Sequence, residues 1–257
     1  MNSLLEGPMV QDISFMRALW SDPEDRLAAV IQKTLVPSIA HRDATVEAYG
    51  RTIPREIVGG DLLDLVVAEH SVMAYVADVS GHGFRAGVLM GMVKTAVRYG
   101  LAVRQSLPAL LESMNLVLPT VKESSMYATF AGLRFSRSRE VEYIAAGHVP
   151  LLHYRHRHRE VVRRSMSQFP LGMFEDAGYA SCRIPYEPGD VFALFTDGLV
   201  ETLDAEERQF GLERMEDILR DRAVHPTSEI FQATLAAVMR HGEQHDDRTL
   251  LVVRALA

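Results

Sequence analysis

The sequence predicts an α+β domain, and three observations carry that expectation. Short apolar runs bounded by Gly, Pro and Asp turns read as β-hairpins. Two stretches with apolar residues at helical spacing follow the first hairpin, and two more precede the terminal strand. Hairpins, a helix pair, further hairpins and another helix pair are the order of a layered domain with segregated helices.

The elements follow in order. Residues 1–20 mix polar and apolar residues without a clear period, and Gly7-Pro8 interrupts any early helix. Ser21 with Glu24 fits a capping box, and Pro23 suits a first helical turn. Leu27, Val30, Ile31, Thr34 and Leu35 then recur at helical spacing until Pro37, followed by a loop through Arg42. Such a stripe packs on its own domain, on a second copy or on a partner. We expect helix 21–37 to support a homodimer, with Ile31 and Leu35 central.

Residues 44–51 read as a strand leading to Gly59-Gly60. Residues 62–68 and 72–77, split by Glu69-His70-Ser71, read as a buried hairpin that brings Asp61 and Asp78 to the same end. Residues 84–97 carry a helical apolar face, and Ser106 with Pro108 opens a second helix ending near Leu118-Pro119. Strands are expected at 126–135, 141–145, 150–154 and 160–163. His153, His156 and His158 alternate with Arg155, Arg157 and Arg159 and read as a solvated hairpin tip. Residues 181–184 and 190–196 read as a strand pair joined by Glu187-Pro188-Gly189, with Cys182 as core filler. Helices at 211–221 and 226–241 and a strand at 248–254 complete the chain.

Composition narrows the setting. A chain of 257 residues, 47% hydrophobic and 24% charged, suits one large domain or a domain with a short extension. No apolar run of about 18 residues is present, so no membrane partner is expected. Acids outnumber bases 34 to 27, which disfavours nucleic acid. One cysteine and no basic leader with an apolar core point to the cytoplasm. No sensor-sized segment precedes residue 21, so regulatory input is expected from a partner, from self-association, or not at all.

Chemistry gathers at four aspartates. Asp61, Asp78, Asp197 and Asp246 each sit where an apolar strand meets a turn, two of them beside Gly60 and Gly198. Acids at one edge of a buried sheet repel and desolvate one another unless a cation joins them. Hard divalent ions such as Mg²⁺ and Mn²⁺ take oxygen ligands and keep several waters, and the absence of CxxC and HExxH argues against zinc.

The motifs occur in a recognisable order. They are Val58-Gly59-Gly60-Asp61-x-x-Asp64, Ala77-Asp78-Val79-Ser80-Gly81-His82-Gly83, Met126-Tyr127-Ala128-Thr129 and Ala146-Gly147-His148. Pro170-Leu171-Gly172, Pro188-Gly189-Asp190, Thr196-Asp197-Gly198-Leu199-Val200-Glu201 and Asp246-Asp247-Arg248-Thr249 complete the set. Over about residues 44–254 the chain resembles the RsbU and stage II sporulation protein E branch of the PPM metal-dependent serine/threonine phosphatases. The resemblance implies a four-layer αββα sandwich, two antiparallel sheets flanked by helix pairs. It also implies an N-terminal extension with a linker helix at 1–42 and a phosphatase domain at 43–257.

By the same resemblance two Mn²⁺ or Mg²⁺ ions are expected. Asp78 bridges them, Asp197 and Asp246 hold one, and Asp61 with the Val79 carbonyl holds the other. Asp64 reads as an outer residue at best or as a turn or strand-edge residue, and Asp247 as the adjacent acid of the last pair, which helps to position it. Two cations neutralise a phosphomonoester and activate water for in-line attack, so no protein nucleophile is needed. Eukaryotic relatives place a histidine where Ser80 stands. His82 is the candidate general acid, against a solvated residue at a helix start. His148 reads as structural or substrate-proximal. Gly59-Gly60-Asp61 also occurs in cyclic-dinucleotide synthases, which need acids where Leu62-Leu63 stand here.

The resemblance implies a serine/threonine phosphoprotein phosphatase whose substrate is a phosphorylated anti-sigma-factor antagonist. The alternatives are a non-catalytic binding module of the same fold and a general small-molecule phosphatase.

Overall fold

A computed structural model describes residues 23–136 and 138–256, with side chains from residue 27 onward. The segment 1–20 and the Ser21–Glu24 capping box lie outside the described residues. Helix α1 (Pro23–Leu35) leads into strands β1 (Ile39–Arg42) and β2 (Val46–Ile53). The hairpin β3 (Asp61–Ala68) and β4 (Ser71–Val79) precedes α2 (Phe84–Ala102) and α3 (Leu107–Val121). Strands β5 (Ala128–Ser136), β6 (Glu140–Ala146), β7 (Leu151–Arg155), β8 (Glu160–Arg164), β9 (Cys182–Pro185) and β10 (Val191–Phe195) follow. The short α4 (Asp197–Val200), then α5 (Gly211–Arg222), α6 (Thr227–His241) and β11 (Arg248–Ala255), complete the fold.

All pairings between these strands are antiparallel. One sheet has the order β1-β2-β11-β10-β7-β8 and the other β3-β4-β5-β6-β9. Period-two alternation sorts each strand onto two faces. Leu63, Val72, Val76, Phe135, Phe192, Leu194 and Leu251 fill the space between the sheets. Their neighbours Leu62, Tyr75 and Phe130 instead pack against Leu89, Val93 and Leu110 of α2 and α3. On the far side Phe195 and Val252 meet Met215, Leu219 and Ile230 of α5 and α6. Three apolar layers between four structural layers are the αββα sandwich, an α+β fold.

Local expectations are met at several turns. Ser106 caps α3 by accepting a hydrogen bond from the Ala109 N–H, with proline in the first turn. Others are corrected. The loop expected through Arg42 forms the edge strand β1, paired with β2 over Ile39–Arg42. Strands β9 and β10 are not a hairpin: β9 pairs with β6, while β10 lies between β7 and β11. The connection crosses between sheets because the Tyr186 ring sits in the inter-sheet core against Phe135 and Phe192. A short apolar run records that a strand is buried and leaves open which sheet buries it. Cys182 is exposed at the start of the edge strand β9 and is not core filler. His153 is fully buried, stacked on Phe192 and bonded to Asp190 at 2.9 Å, so only the rest of the His/Arg run forms a solvated tip.

The stripe on α1 splits in two. Leu35 packs half-buried against the helix-side core, whereas Leu27, Val30 and Ile31 remain exposed. No helix among the described residues is long and apolar enough to cross a membrane.

Candidate metal centre

The site is assembled by strand register. Asp61 stands directly opposite Asp78 across β3 and β4. Asp61 shares its face with Leu63, and Asp78 shares its face with Val76, so both carboxylates look into the gap between the sheets. The facing sheet meets them with two threonines. Thr196, just after β10, and Thr249 in β11 donate their hydroxyls to Asp61 Oδ2 at 2.7 and 2.5 Å. Asp61 is 2% exposed, and burial, with Asp78 and Asp247 nearby, pushes it well above the usual carboxylate range.

Asp247 joins the sheets. Its Oδ1 accepts from the Arg55 N–H at 2.7 Å, and its Oδ2 from the Gly60 and Asp61 N–H groups at 2.8 and 3.3 Å. Two motif glycines exist because of this residue. A Cβ on Gly59 would lie 2.1 Å from Asp247 Oδ2, and one on Gly198 would lie 2.0 Å from the Asp247 carbonyl oxygen. The Gly-Gly-Asp turn and the Thr-Asp-Gly turn are therefore pressed against the same acid from opposite sheets.

The other acids surround Asp78. Burial raises its pKa to about 7, followed by the charges of Asp197, Asp246 and Asp247. Asp197 opens α4 and is raised by burial, then by Glu201 and Asp246. Exposure grows from buried Asp61 through half-buried Asp78 and Asp197 to exposed Asp246. The Val79 carbonyl oxygen lies beside Gly60 at the same turn. Among the described residues no three His, Cys, Asp or Glu side chains converge tightly enough to hold an ion unaided. The donor set nevertheless suits hard cations: it is all oxygen, it crowds negative charge from both sheets around Asp78, and it opens toward water that completes such shells.

The remaining motif residues take distinct places. Ser80 ties the site to the next motif, its Oγ accepting from the Tyr127 N–H at 2.8 Å. His82 is exposed and pairs through Nδ1 with Glu56 at 3.0 Å. Asp64 lies on the opposite face of β3 from Asp61. It takes Arg98 of α2 in a two-pronged bond at 2.8 Å, with the Tyr75 hydroxyl at 3.1 Å and Lys94 at 3.4 Å. Asp64 thus anchors α2 from the edge strand β3, in keeping with the expected strand-edge place. Lys94 also donates to the Leu35 carbonyl, which docks the end of α1. The parts played by Thr196, Thr249 and Arg98 are missed by sequence reasoning. The two threonines stand inside the motifs, and the apolar alternation of β10 and β11 puts both on the inter-sheet face.

Residues 68–256 match the family described as stage II sporulation protein E (SpoIIE). The chain belongs to the SpoIIE family. Phosphoserine phosphatase RsbU of Bacillus subtilis (strain 168) is 25% identical over 242 residues, covering 90% of this chain and 70% of RsbU. The RsbU and RsbW domains of Rv1364c from Mycobacterium tuberculosis superpose with a TM-score of 0.77 at 23% identity, covering 86% of this chain and 63% of that one. The catalytic domain of serine threonine protein phosphatase PstP, solved with 2 manganese ions, gives 0.64 at 14% identity, covering 83% and 99%. The SpoIIE-family match begins at the end of β3, so the Gly-Gly-Asp turn lies just outside it and rests on the structure.

Proposed function

We infer that the chain is a metal-dependent phosphoprotein phosphatase acting on phosphoserine or phosphothreonine. The observation that carries this reading is the convergence of acids from two sheets on Asp78, with Asp61 held opposite by register and hydroxyl bonds. Membership of the SpoIIE family and similarity to a phosphoserine phosphatase support the reaction class. The manganese found with PstP supports the choice of cation. All four aspartates are intact, which disfavours a non-catalytic binding module.

In this reading Asp78, Asp197, Asp246, Asp61 and the Val79 carbonyl would together hold two Mn²⁺ or Mg²⁺ ions, with Asp78 central to both. When bound, the ions offset phosphate charge and make a water acidic enough to attack phosphorus. The chain's part is positioning. Thr196 and Thr249 fix Oδ2 of Asp61, so that Oδ1 is the oxygen that would face a cation or its water. Asp247 holds the turn that carries Asp61. His82, steadied by Glu56, donates the proton to the departing serine or threonine oxygen.

The substrate is a phosphorylated anti-sigma-factor antagonist, the class implied by likeness to RsbU. The catalytic domain takes the expected residues 43–257 together with β1, which pairs with β2 in the sandwich, and the residues before it are the extension with the linker helix. The exposed Leu27, Val30 and Ile31 support a homodimer through that helix. The expected setting is the cytoplasm, where the exposed thiol of Cys182 stays reduced. The test is phosphate release from phosphorylated candidate antagonists, with and without Mn²⁺, beside nucleotides and sugar phosphates. Mn²⁺-dependent turnover on the phosphoprotein supports the reading. Preference for small esters replaces it with a small-molecule phosphatase.

A further inference from the structure

His148 lies beyond β6, between the two strand ends that carry the acids, and the reaction outlined above gives it no part. The ring spans the sheets. Nδ1 lies 2.7 Å from the Thr129 hydroxyl of β5, and Nε2 lies 2.9 Å from the Phe195 carbonyl oxygen at the end of β10. A carbonyl only accepts, so Nε2 carries the hydrogen and Nδ1 accepts from Thr129. Both nitrogens are then satisfied by a neutral ring, and packing around the imidazole pushes its pKa down to about 4 despite the carbonyl bond.

The two partners are informative. Thr129 is the residue opposite Asp78 in the β4–β5 register. Phe195 lies two positions before Asp197, and its successor Thr196 donates to Asp61. The bolt therefore links the strand flanking Asp78 to the strand end that delivers Asp197. The acids come from different sheets, and the gap between sheets is set by apolar packing that slides more easily than it stretches. A direct polar tie at the acidic end fixes that gap where charge repulsion opens it.

We propose that His148 is a positioning residue of the metal centre, holding the sheet of Asp78 and the strand end of Asp197 at the separation that two cations require. The proposal rests on the phosphatase reading and adds a residue that touches neither ion nor substrate. It differs from a general packing role, because a ring of similar size without nitrogens fills the space and lacks both bonds.

The experiment measures Mn²⁺ affinity by titration calorimetry on the full chain stripped of metal, beside thermal unfolding of the same samples. His148→Phe is expected to weaken Mn²⁺ binding tenfold or more while the metal-free melting point moves by only a few degrees. His148→Gln, which keeps a donor and an acceptor, is expected to recover part of the loss. Thr129→Val removes only the hydroxyl and is expected to weaken binding by a smaller factor, giving an answer even where the Phe variant fails to fold. Asp78→Asn is the reference. If it loses Mn²⁺ binding while His148→Phe and Thr129→Val bind as the parent does, the positioning proposal is overturned and the metal site stands. If Asp78→Asn also binds as the parent does, the metal reading fails and takes the proposal with it.

Discussion

The acidic edge and helix α1 are held to the fold in opposite ways. At the edge Asp247 accepts three backbone N–H groups, Asp61 accepts two hydroxyls, and glycines admit contacts that any side chain blocks. Helix α1 is docked at one end, by Leu35 and by Lys94 on its last carbonyl, while Leu27, Val30 and Ile31 face solvent. Among the described residues neither amide atom of its buried Gln32 finds a partner. An unsatisfied buried polar group costs about 1–3 kcal/mol, so this docking is weak where the edge is over-determined. The contrast assigns geometry to the edge and adjustability to the helix. The two are also connected, because Lys94 pairs with Asp64 on the strand that begins with Asp61.

The largest expected effect breaks the edge chemically while leaving its shape. Asp78→Asn should lower turnover by about 10³-fold or more, roughly 4 kcal/mol of barrier. Its melting temperature should not fall, since one repelling charge is removed. Asp197→Asn should be nearly as damaging. Retention of more than about a tenth of activity in Asp78→Asn, under about 1.4 kcal/mol, contradicts its bridging role.

Next in size is a variant that breaks the edge mechanically. Asp247→Ala leaves three backbone donors without an acceptor at a buried turn, so about 3 kcal/mol of stability should be lost along with activity. The urea midpoint at unchanged slope measures it. A stability equal to the parent's means that the clamp is not structural.

Smaller again is the link to α1. Lys94→Met should loosen the helix by about 1 kcal/mol, read as faster amide exchange in residues 27–36, with global unfolding affected less. Smallest is the exposed stripe: Leu27→Glu with Ile31→Glu should change monomer stability by under about 0.5 kcal/mol while shifting sedimentation toward the monomer. Unchanged sedimentation removes the homodimer from the account.

A proton-donor role for His82 sharpens the chemistry. His82→Gln should slow hydrolysis of phosphoserine peptides at least tenfold and leave p-nitrophenyl phosphate, whose leaving group needs little protonation, nearly unaffected. Equal losses on both substrates would reassign the residue.

Much of this was legible in the sequence because strand period and turn residues are local. The β3–β4 hairpin, the α2–α3 pair and the meeting of Asp61 with Asp78 follow from apolar alternation around Glu69-His70-Ser71. What was not legible depends on which sheet a strand joins. β9 and β10 read as a hairpin because a turn joins them, yet the Tyr186 ring draws the connection across the core. Cys182 fell on the edge strand β9, and His153 lies within β7, stacked on Phe192 between the sheets. Asp64 read as an outer or strand-edge residue, and three residues along a strand turn its side chain to the other face from Asp61, toward Arg98.

The central claim is that acids from two sheets form one site for two cations that drive phosphate release. Metal-stripped protein titrated with Mn²⁺, while phosphate release from a phosphoserine protein is followed, tests it most directly. The account predicts two ions per chain, activity rising with their binding, and reversible loss on chelation. Full turnover after exhaustive chelation would contradict it.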